Sequence, residues 1–220
     1  MVLAVIAGMR LGAPGTSVAQ TRASPGRSAE FWKLFFVFLL AASAGLMVLS
    51  QAAGIVAAYG GGTGIATLAT TGLSGAIAAA RLTGGLLIDR YSIPKVIAGA
   101  QLAGLFGAAG LTAWPTPAVS VAALLAIGMS YGIMSGATAA AIASYWPKVL
   151  FGRVAARVYI AWCLAAVSLP IVAARIYDLT GGYASAIIVA GACNLAAALV
   201  ALSLPPQNTS AEKIVAVRTA

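Results

Sequence analysis

The chain has 220 residues, of which 61% are hydrophobic and 8% charged, and its mean hydropathy is +0.99. Because a soluble domain carries about a quarter charged residues, this composition excludes a water-soluble globule. The sequence has 13 basic residues, 4 acidic residues and no histidine, for a net charge of +9. These are too few titratable groups for most acid–base or metal sites, so we expect no enzyme, no catalytic residue, no metal site and no cofactor.

The basic residues are dispersed along the chain, which argues against a nucleic-acid partner. A nucleic-acid binder concentrates Lys and Arg with aromatic residues on one surface, whereas here small basic groups separate long neutral stretches. The two cysteines, Cys163 and Cys193, lie in apolar surroundings without a CxxC spacing. We interpret them as small packing residues.

Long uncharged stretches define the fold class. Four stretches contain no charged residue: 34–80, 96–147, 158–174 and 179–211. A spanning helix needs about 20 apolar residues, so the first two stretches are long enough for two passes each and the others for one. Gly, Pro and charged residues place the spans at about 34–56, 65–88, 95–113, 118–143, 156–175 and 183–204. We predict an all-α polytopic membrane protein whose six transmembrane helices form one bundle in a lipid bilayer.

The bundle is predicted to occupy residues 31–205, followed by a tail over 206–220. Residues 1–30 are predicted to form a flexible basic linker that begins with an apolar stub from Met1 to Met9. That stub is too short to span a membrane. It is what would remain if a longer membrane protein were cut within a preceding span.

The distribution of Lys and Arg orients the chain, because these residues accumulate on the cytoplasmic side of a membrane. Alternate connecting segments and both ends of the chain carry nearly all of them: Arg10, Arg22, Arg27, Lys33, Arg90, Lys95, Lys148, Arg153, Arg157, Lys213 and Arg218. The opposite connections, near residues 60, 115 and 180, hold none unless Arg175 is counted. We predict a multi-pass protein of the cell (plasma or inner) membrane with both termini cytoplasmic.

Two features of the spans concern helix packing. Gly128, Gly132 and Gly136 form a small-xxx-small ladder on one face of span four, which favours a close helix crossing; such faces also slide in transporters.

Pro170 within span five removes a backbone hydrogen bond and should kink the helix. The kink is either a packing bend or a gating hinge.

Arg81 is the most informative single residue. It lies eight residues before Asp89, or about 12 Å along a helix, which places it near the bilayer midplane. An arginine there costs about 2.5 kcal/mol or more and therefore usually faces a bundle interior or a water cavity. Ser74 and Thr70 lie on the same helical face and, with Thr67, make a polar stripe that leads to the cation. This pattern indicates an anion path; the alternative is an arginine that snorkels to the headgroups or bonds to carbonyls.

Three further residues within spans are candidates for substrate contact. Trp162 can line a pocket, although interfacial or packing tryptophans are commoner. Tyr131 and Gln51 carry polar tips within apolar helices. We therefore predict a substrate site formed by Arg81, Ser74, Thr70, Trp162, Tyr131 and Gln51.

The segment from Gly84 to Lys95, GGLLIDRYSIPK, resembles the G-x-L-x-D-R-x-G-R/K loop that major facilitator superfamily transporters repeat in each half. Its glycines allow close helix approach, Asp89 can cap a helix or pair across the cytoplasmic face, and the basic residues hold the loop inside. The resemblance marks five loop-motif residues: Gly84, Gly85, Asp89, Arg90 and Lys95. Tyr91-Ser92-Ile93 replaces the usual Gly-Arg.

Other segments are similar to the oxalate/formate antiporter family, in the same order and spacing: Ala44–Ala53, Tyr131–Gly136, Phe151–Val154 and Ile176–Tyr183. The resemblance covers about residues 30–205 and implies the carboxyl-terminal half of a twelve-helix transporter. Trp162 stands where oxalate-carrying members have a lysine, which implies a monocarboxylate substrate in place of a dianion.

The resemblance implies a half-length major facilitator transporter that moves a small organic anion by alternating access of two six-helix bundles. Its partners would be the bilayer, a small carboxylate, and a separate six-helix half or a second copy of the chain. The spans contain no Asp, Glu or His, which favours exchange or facilitated movement over proton symport. The alternative is a truncated, non-transporting remnant, or a helix-packing partner of a separate first half.

Overall fold

The computed structural model describes residues 28–206, and this part of the chain is helical without strands. The helices are α1 (Ser28–Ala58), α2 (Thr63–Arg90), α3 (Ile93–Ala113), α4 (Pro117–Tyr145), α5 (Phe151–Thr180) and α6 (Ala184–Leu202), with a 3₁₀ turn, Lys148–Leu150, before α5. All six are long and apolar enough to cross a membrane, and they pack as one bundle. The predicted all-α, six-span membrane fold is confirmed.

Five of the six helices extend beyond their predicted spans at one end or both, whereas α6, at Ala184–Leu202, is shorter than its predicted span of 183–204. The predicted fifth span covers 156–175, whereas α5 begins at Phe151 and ends at Thr180, because its helical backbone continues through charged residues at both ends. The first turn of α1 contains residues 28–30, which were predicted as linker. The rest of the predicted linker and all of the predicted tail except Pro206 lie outside the described residues.

Short connections make successive helices antiparallel. The non-helical or 3₁₀ connections contain two to five residues, as is common between neighbouring helices of a bundle. Gly181 ends α5 in the left-handed conformation, with φ of 69°, which a glycine adopts without steric cost. Thr116 caps α4 by accepting a hydrogen bond from the Val119 amide at 3.3 Å.

The centre of the bundle is formed by α1 and α4, which contain most of the large fully buried side chains. Helix α2 packs mainly on α4, and α5 packs mainly on α1. Helix α3 lies against α4 and α6, while α6 also contacts α1. Since α2 and α5 are the least buried helices, they present the largest exposed faces of the bundle.

The glycine ladder of α4 faces α2. A methyl group on Gly132 would lie 2.6 Å from Cβ of Ala80 and 2.7 Å from the carbonyl oxygen of Ile77. A methyl group on Gly128 would clash with Leu73, and one on Gly136 with the carbonyl oxygen of Arg81. The predicted close crossing is therefore present, and these three positions have room only for glycine.

Two hydrogen bonds join helices at the end of the bundle where the described chain begins and ends. Lys33 Nζ donates to the carbonyl oxygen of Ser203 at 2.8 Å. The Tyr145 hydroxyl donates to the carbonyl oxygen of Pro205 at 2.6 Å. Together they connect the beginning of α1, the end of α4 and the segment after α6.

Candidate functional site: a cationic cluster on the flank of the bundle

Three side chains from three helices meet at the hydroxyl of Tyr131. Arg81 Nη2 of α2 donates to this oxygen at 3.2 Å, and Trp162 Nε1 of α5 donates to it at 2.7 Å. The guanidinium carbon of Arg81 also lies 5.6 Å from the centroid of the Tyr131 ring, within the range of a cation–π contact. We call Arg81, Tyr131 and Trp162 the cationic cluster.

Tyr131 is held in place by a glycine on the neighbouring central helix. Gly45 of α1 faces the Cβ and ring of Tyr131, so closely that a methyl group at this position would overlap them. Tyr131 is only 1% exposed. Its ring is therefore fixed between α1 and α2, and its hydroxyl lies beside Trp162 of α5.

The glycine ladder determines where Arg81 lies. Gly136 of α4 packs against the backbone of Arg81, and Gly132 packs one turn earlier, against Ala80 and Ile77. This backbone contact brings α2 close enough for the guanidinium to reach Tyr131. Arg81 itself is exposed, and Trp162 is 38% exposed, so the cluster opens to the flank of the bundle between α2 and α5.

The cluster is rich in donors and poor in free acceptors. The Tyr131 oxygen already accepts two hydrogen bonds, which leaves its own proton available for donation. Arg81 has further N–H groups beyond the one that reaches Tyr131. The structure shows no ion pair to Arg81 among residues 28–206. A cationic, donor-rich surface of this kind suits an anion with several acceptor oxygens.

Ser74 and Thr70 lie on the α2 face that leads to Arg81, but their hydroxyl groups donate hydrogen bonds to carbonyl oxygens of the same helix. Ser74 Oγ donates to the Thr70 carbonyl at 3.0 Å. Thr70 Oγ1 donates to the carbonyls of Ala66 and Thr67 at 3.1 and 2.9 Å. In this conformation these hydroxyls offer acceptor oxygens only, and their role in substrate binding stays a prediction.

Gln51 lies apart from the cationic cluster. Its Oε1 accepts a hydrogen bond from the Tyr183 hydroxyl at 3.1 Å, and the Tyr183 ring stacks on Tyr177 with centroids 4.5 Å apart. Burial is the main cause that raises the pKa of the Tyr183 hydroxyl, and the nearby Tyr177 and Asp178 raise this pKa further. Gln51 is six residues beyond Gly45, or about 9 Å along α1, so the structure assigns it to a contact between α1 and the start of α6.

The predicted loop motif is mostly helical. Gly84 of α2 packs against the backbone of Ile133, where a side chain would clash, whereas Gly85 faces open space. Asp89 does not cap α3, because it lies in the last turn of α2 and the cap position of α3 is Ser92. Asp89, Arg90 and Lys95 are exposed at this end of the bundle.

Pro170 lies inside α5, which continues as one helix from Phe151 to Thr180. Its use as a hinge stays a prediction. Residues 28–206 contain no group of three or more His, Cys, Asp or Glu side chains that could hold a metal ion.

The sequence indicates Arg81, Tyr131 and Trp162 separately, but it does not reveal two features that bring them together. One is Gly45, whose contact with Tyr131 has no signal in a helix already rich in small residues. The other is the shared hydroxyl. The sequence does contain a signal for this shared hydrogen bond. The hydroxyl of a tyrosine and the N–H of a tryptophan usually need polar partners when they lie within apolar spans.

Comparison with protein-family models and with curated proteins finds no match for this chain. The fold rests on the structure itself. The chain is a multi-pass membrane protein whose six helices form one bundle, with the cationic cluster on its flank.

Proposed function

We propose that this chain is one six-helix bundle of a membrane transporter that moves a small organic anion by alternating access. The convergence of Arg81, Tyr131 and Trp162 carries the proposal. An arginine well inside a spanning helix is costly unless it faces a polar cavity or a partner. A binding site for an anion gives this charge a use, and its position on an exposed face gives the anion access.

The donor geometry favours a carboxylate with one charge. Arg81 supplies the positive charge, and its remaining guanidinium N–H groups supply hydrogen bonds to carboxylate oxygens, while the buried Tyr131 hydroxyl holds Arg81 in position. Trp162, whose single N–H is already donated to Tyr131, adds an apolar ring face beside them. A dicarboxylate would bring a second charge to a cluster that contains one cation, so we propose a monocarboxylate substrate.

The other wall of the site would be a second six-helix bundle. Helices α2 and α5 carry the cationic cluster and are the least buried of the six. In transporters that work by alternating access, substrate sites lie near the midplane at the interface of two bundles. We propose that a separate six-helix half, or a second copy of this chain, covers this face, as in the major facilitator superfamily that the sequence resembles.

The direct test is carboxylate binding by the purified chain reconstituted with a candidate second bundle. Acetate and its neutral isostere acetamide are matched ligands that differ in charge, and the fluorescence of Trp162 reports on the cluster. We expect acetate, and not acetamide, to change the emission, and the change to disappear in Trp162→Phe.

Arg81→Gln should weaken acetate binding by roughly ten- to a hundredfold, because it removes a charge-assisted hydrogen bond worth about 1.5–3 kcal/mol. Arg81→Lys keeps the charge without the planar fork and should retain part of the affinity. Arg175→Gln, which removes an exposed arginine near the far end of α5, is the matched control. Unchanged affinity in Arg81→Gln at normal expression would refute the anion site.

Uptake into proteoliposomes tests the requirement for a second bundle. We expect no saturable carboxylate uptake by the 220-residue chain alone, because one bundle provides only one wall of the site. Uptake should appear when a complementary bundle is co-reconstituted. Robust uptake by the monomeric chain alone would contradict the two-bundle mechanism, and lack of binding under every condition would favour a non-transporting remnant.

A further inference from the structure

A second group of polar side chains lies deep in the bundle, away from the cationic cluster. Gln101 of α3, Ser130 of α4 and Asn194 of α6 are 0%, 2% and 1% exposed. Four of their atoms find no hydrogen-bond partner among the described residues: Gln101 Nε2 and Oε1, Ser130 Oγ and Asn194 Nδ2. We call these three residues the buried polar junction.

Gly104 places two of these side chains beside each other. A methyl group on Gly104 would lie 2.9 Å from Asn194 Nδ2 and 2.9 Å from Ser130 Oγ. The two polar atoms therefore lie no more than about 5.8 Å apart, close enough for one water to hydrogen-bond both of them. Gln101 lies three residues before Gly104, on the same face of α3.

Leaving these groups without partners would be expensive. Each unsatisfied polar group buried in an apolar environment costs free energy comparable to a lost hydrogen bond, and the hydrocarbon core supplies no external partner. By contrast, the other buried serine and threonine hydroxyls of α4, those of Ser120 and Thr138, donate to carbonyls of their own helix at 2.7 and 2.8 Å. The junction is therefore a different kind of site.

We propose that the buried polar junction binds internal water, which hydrogen-bonds Ser130 and Asn194 across Gly104 and extends to Gln101. Water both donates and accepts, so it satisfies a mixed set of amide N–H groups, an amide oxygen and a hydroxyl. A cation would be served by the oxygens alone. Each amide presents an NH₂ group whichever way it is oriented, and the three side chains contribute no negative charge.

The bound water connects three helices at the level of the cationic cluster. It links α3 and α6 to α4 at Ser130, the residue next to Tyr131 in sequence. The site therefore holds α4 against α3 and α6 at Ser130, while Gly45 of α1 and Arg81 of α2 hold the adjacent Tyr131. This role stands independently of any transport activity.

The first test compares two buried serines of the same helix. Ser130→Ala should lower the melting temperature of the purified chain by about 2–4 °C, because the water loses a partner. Ser120→Ala deletes the same atom from a residue that is equally buried but bonds only to its own helix, so it should change the melting temperature less. If the junction is dry, removal of an unpaired hydroxyl should raise the melting temperature, and this result would overturn the proposal.

The second test detects the water directly. The sequence contains only two asparagines, Asn194 and Asn208, so Asn208→Ser with ¹⁵N-asparagine labelling leaves one labelled residue. In water-edited solid-state NMR of the chain in bilayers, the Asn194 side-chain amide should receive water polarisation faster than the Asn194 backbone amide. Equally slow transfer to both nitrogens would show that the junction holds no water.

A cation at the junction is distinguished by ionic substitution. Replacing sodium or potassium with choline at constant ionic strength should leave both the melting temperature and the NMR transfer unchanged. A fall in melting temperature that is specific to removal of one cation, and that is abolished by Ser130→Ala, would replace the water proposal with a cation site.

Discussion

Tyr131 combines two contacts that use opposite ends of its side chain. Its Cβ and ring pack against Gly45 of α1, while its hydroxyl accepts hydrogen bonds from Arg81 and Trp162. The ring contact does not depend on the hydroxyl. A substitution at this residue can therefore separate packing from the polar function of the cationic cluster.

Tyr131→Phe should keep the fold and weaken both the cluster and acetate binding. The change removes the oxygen shared by Arg81 and Trp162 and should destabilise the chain by about 1–3 kcal/mol, because a charged donor and an indole N–H lose their acceptor. Thermal unfolding and acetate titration measure the two effects.

Tyr145→Phe is the control for Tyr131→Phe. It also deletes a hydroxyl that bonds across helices, but the Tyr145 hydroxyl contacts Pro205 at the end of the bundle. It should lower stability and leave acetate affinity unchanged. If Tyr131→Phe and Tyr145→Phe affected acetate affinity equally, Tyr131 would have no special place in the binding site.

The residue-level pattern explains why only part of the site could be predicted. Arg81 was identifiable because a charge in an apolar helix is costly wherever the helix packs. The partners of Arg81 were not, because Tyr131 is 50 residues away and Trp162 lies on a third helix. Gln51 shows the converse: its polar tip suggested substrate contact, but the fold places Tyr183 beside it.

At the scale of the helices, the α2–α4 crossing is the contact on which the cluster depends. The glycine ladder brings the backbone of α4 against Ala80 and Arg81. A side chain in the ladder would move α2 outward and carry the guanidinium away from Tyr131. Packing in this crossing and geometry of the site are therefore coupled.

Gly132→Ala should destabilise the chain by about 1–3 kcal/mol, since the added methyl group meets Cβ of Ala80 and the Ile77 backbone at less than contact distance. It should also reduce acetate affinity through displacement of Arg81. Gly110→Ala is the matched control, because Gly110 lies in α3 with nothing within 4 Å of the added methyl group. Its effect should be neutral or stabilising, as alanine favours helix over glycine. A neutral Gly132→Ala would show that α2 adjusts without cost.

The sequence predicts the apolar, membrane-spanning part of each helix, but it does not predict where each helix begins and ends. Uncharged stretches predicted six spans because the bilayer core requires about 20 apolar residues. The ends were less predictable: α5 continues through Arg153 and Arg157 at one end and Asp178 at the other. Helical hydrogen bonding does not stop where hydrophobicity does, so composition defines the part of the helix that suits the membrane and caps define its ends.

At the scale of the whole molecule, charge is concentrated at one end of the bundle. The end that carries the first and last described residues also carries most of the basic side chains: Lys33, Arg90, Lys95, Lys148, Arg153 and Arg157. Within residues 28–206, the opposite end, formed by the connections near residues 60, 115 and 182, has only Arg175 nearby. This asymmetry favours a cytoplasmic location for the basic end.

Cysteine accessibility tests this orientation. In a background in which Cys163 and Cys193 are replaced by alanine, Thr116→Cys should react with an impermeant maleimide in intact cells, because Thr116 lies in an exposed connection at the end poor in basic residues. Ser92→Cys, in the connection between α2 and α3, should react only after permeabilisation. The reverse pattern would invert the orientation.

The helices that pack most extensively against each other are not neighbours along the chain, and this has a consequence for biosynthesis. Helix α2 is the least apolar of the six spans and contains Arg81, yet its main packing partner, α4, emerges from the ribosome only after α3. Until then α2 has only its smaller contacts with α3 and with α1, and α1 is one of the most apolar spans. We therefore expect α1 to hold α2 in the membrane during synthesis, and we expect stable insertion of the arginine-bearing helix to require that α4 has been made.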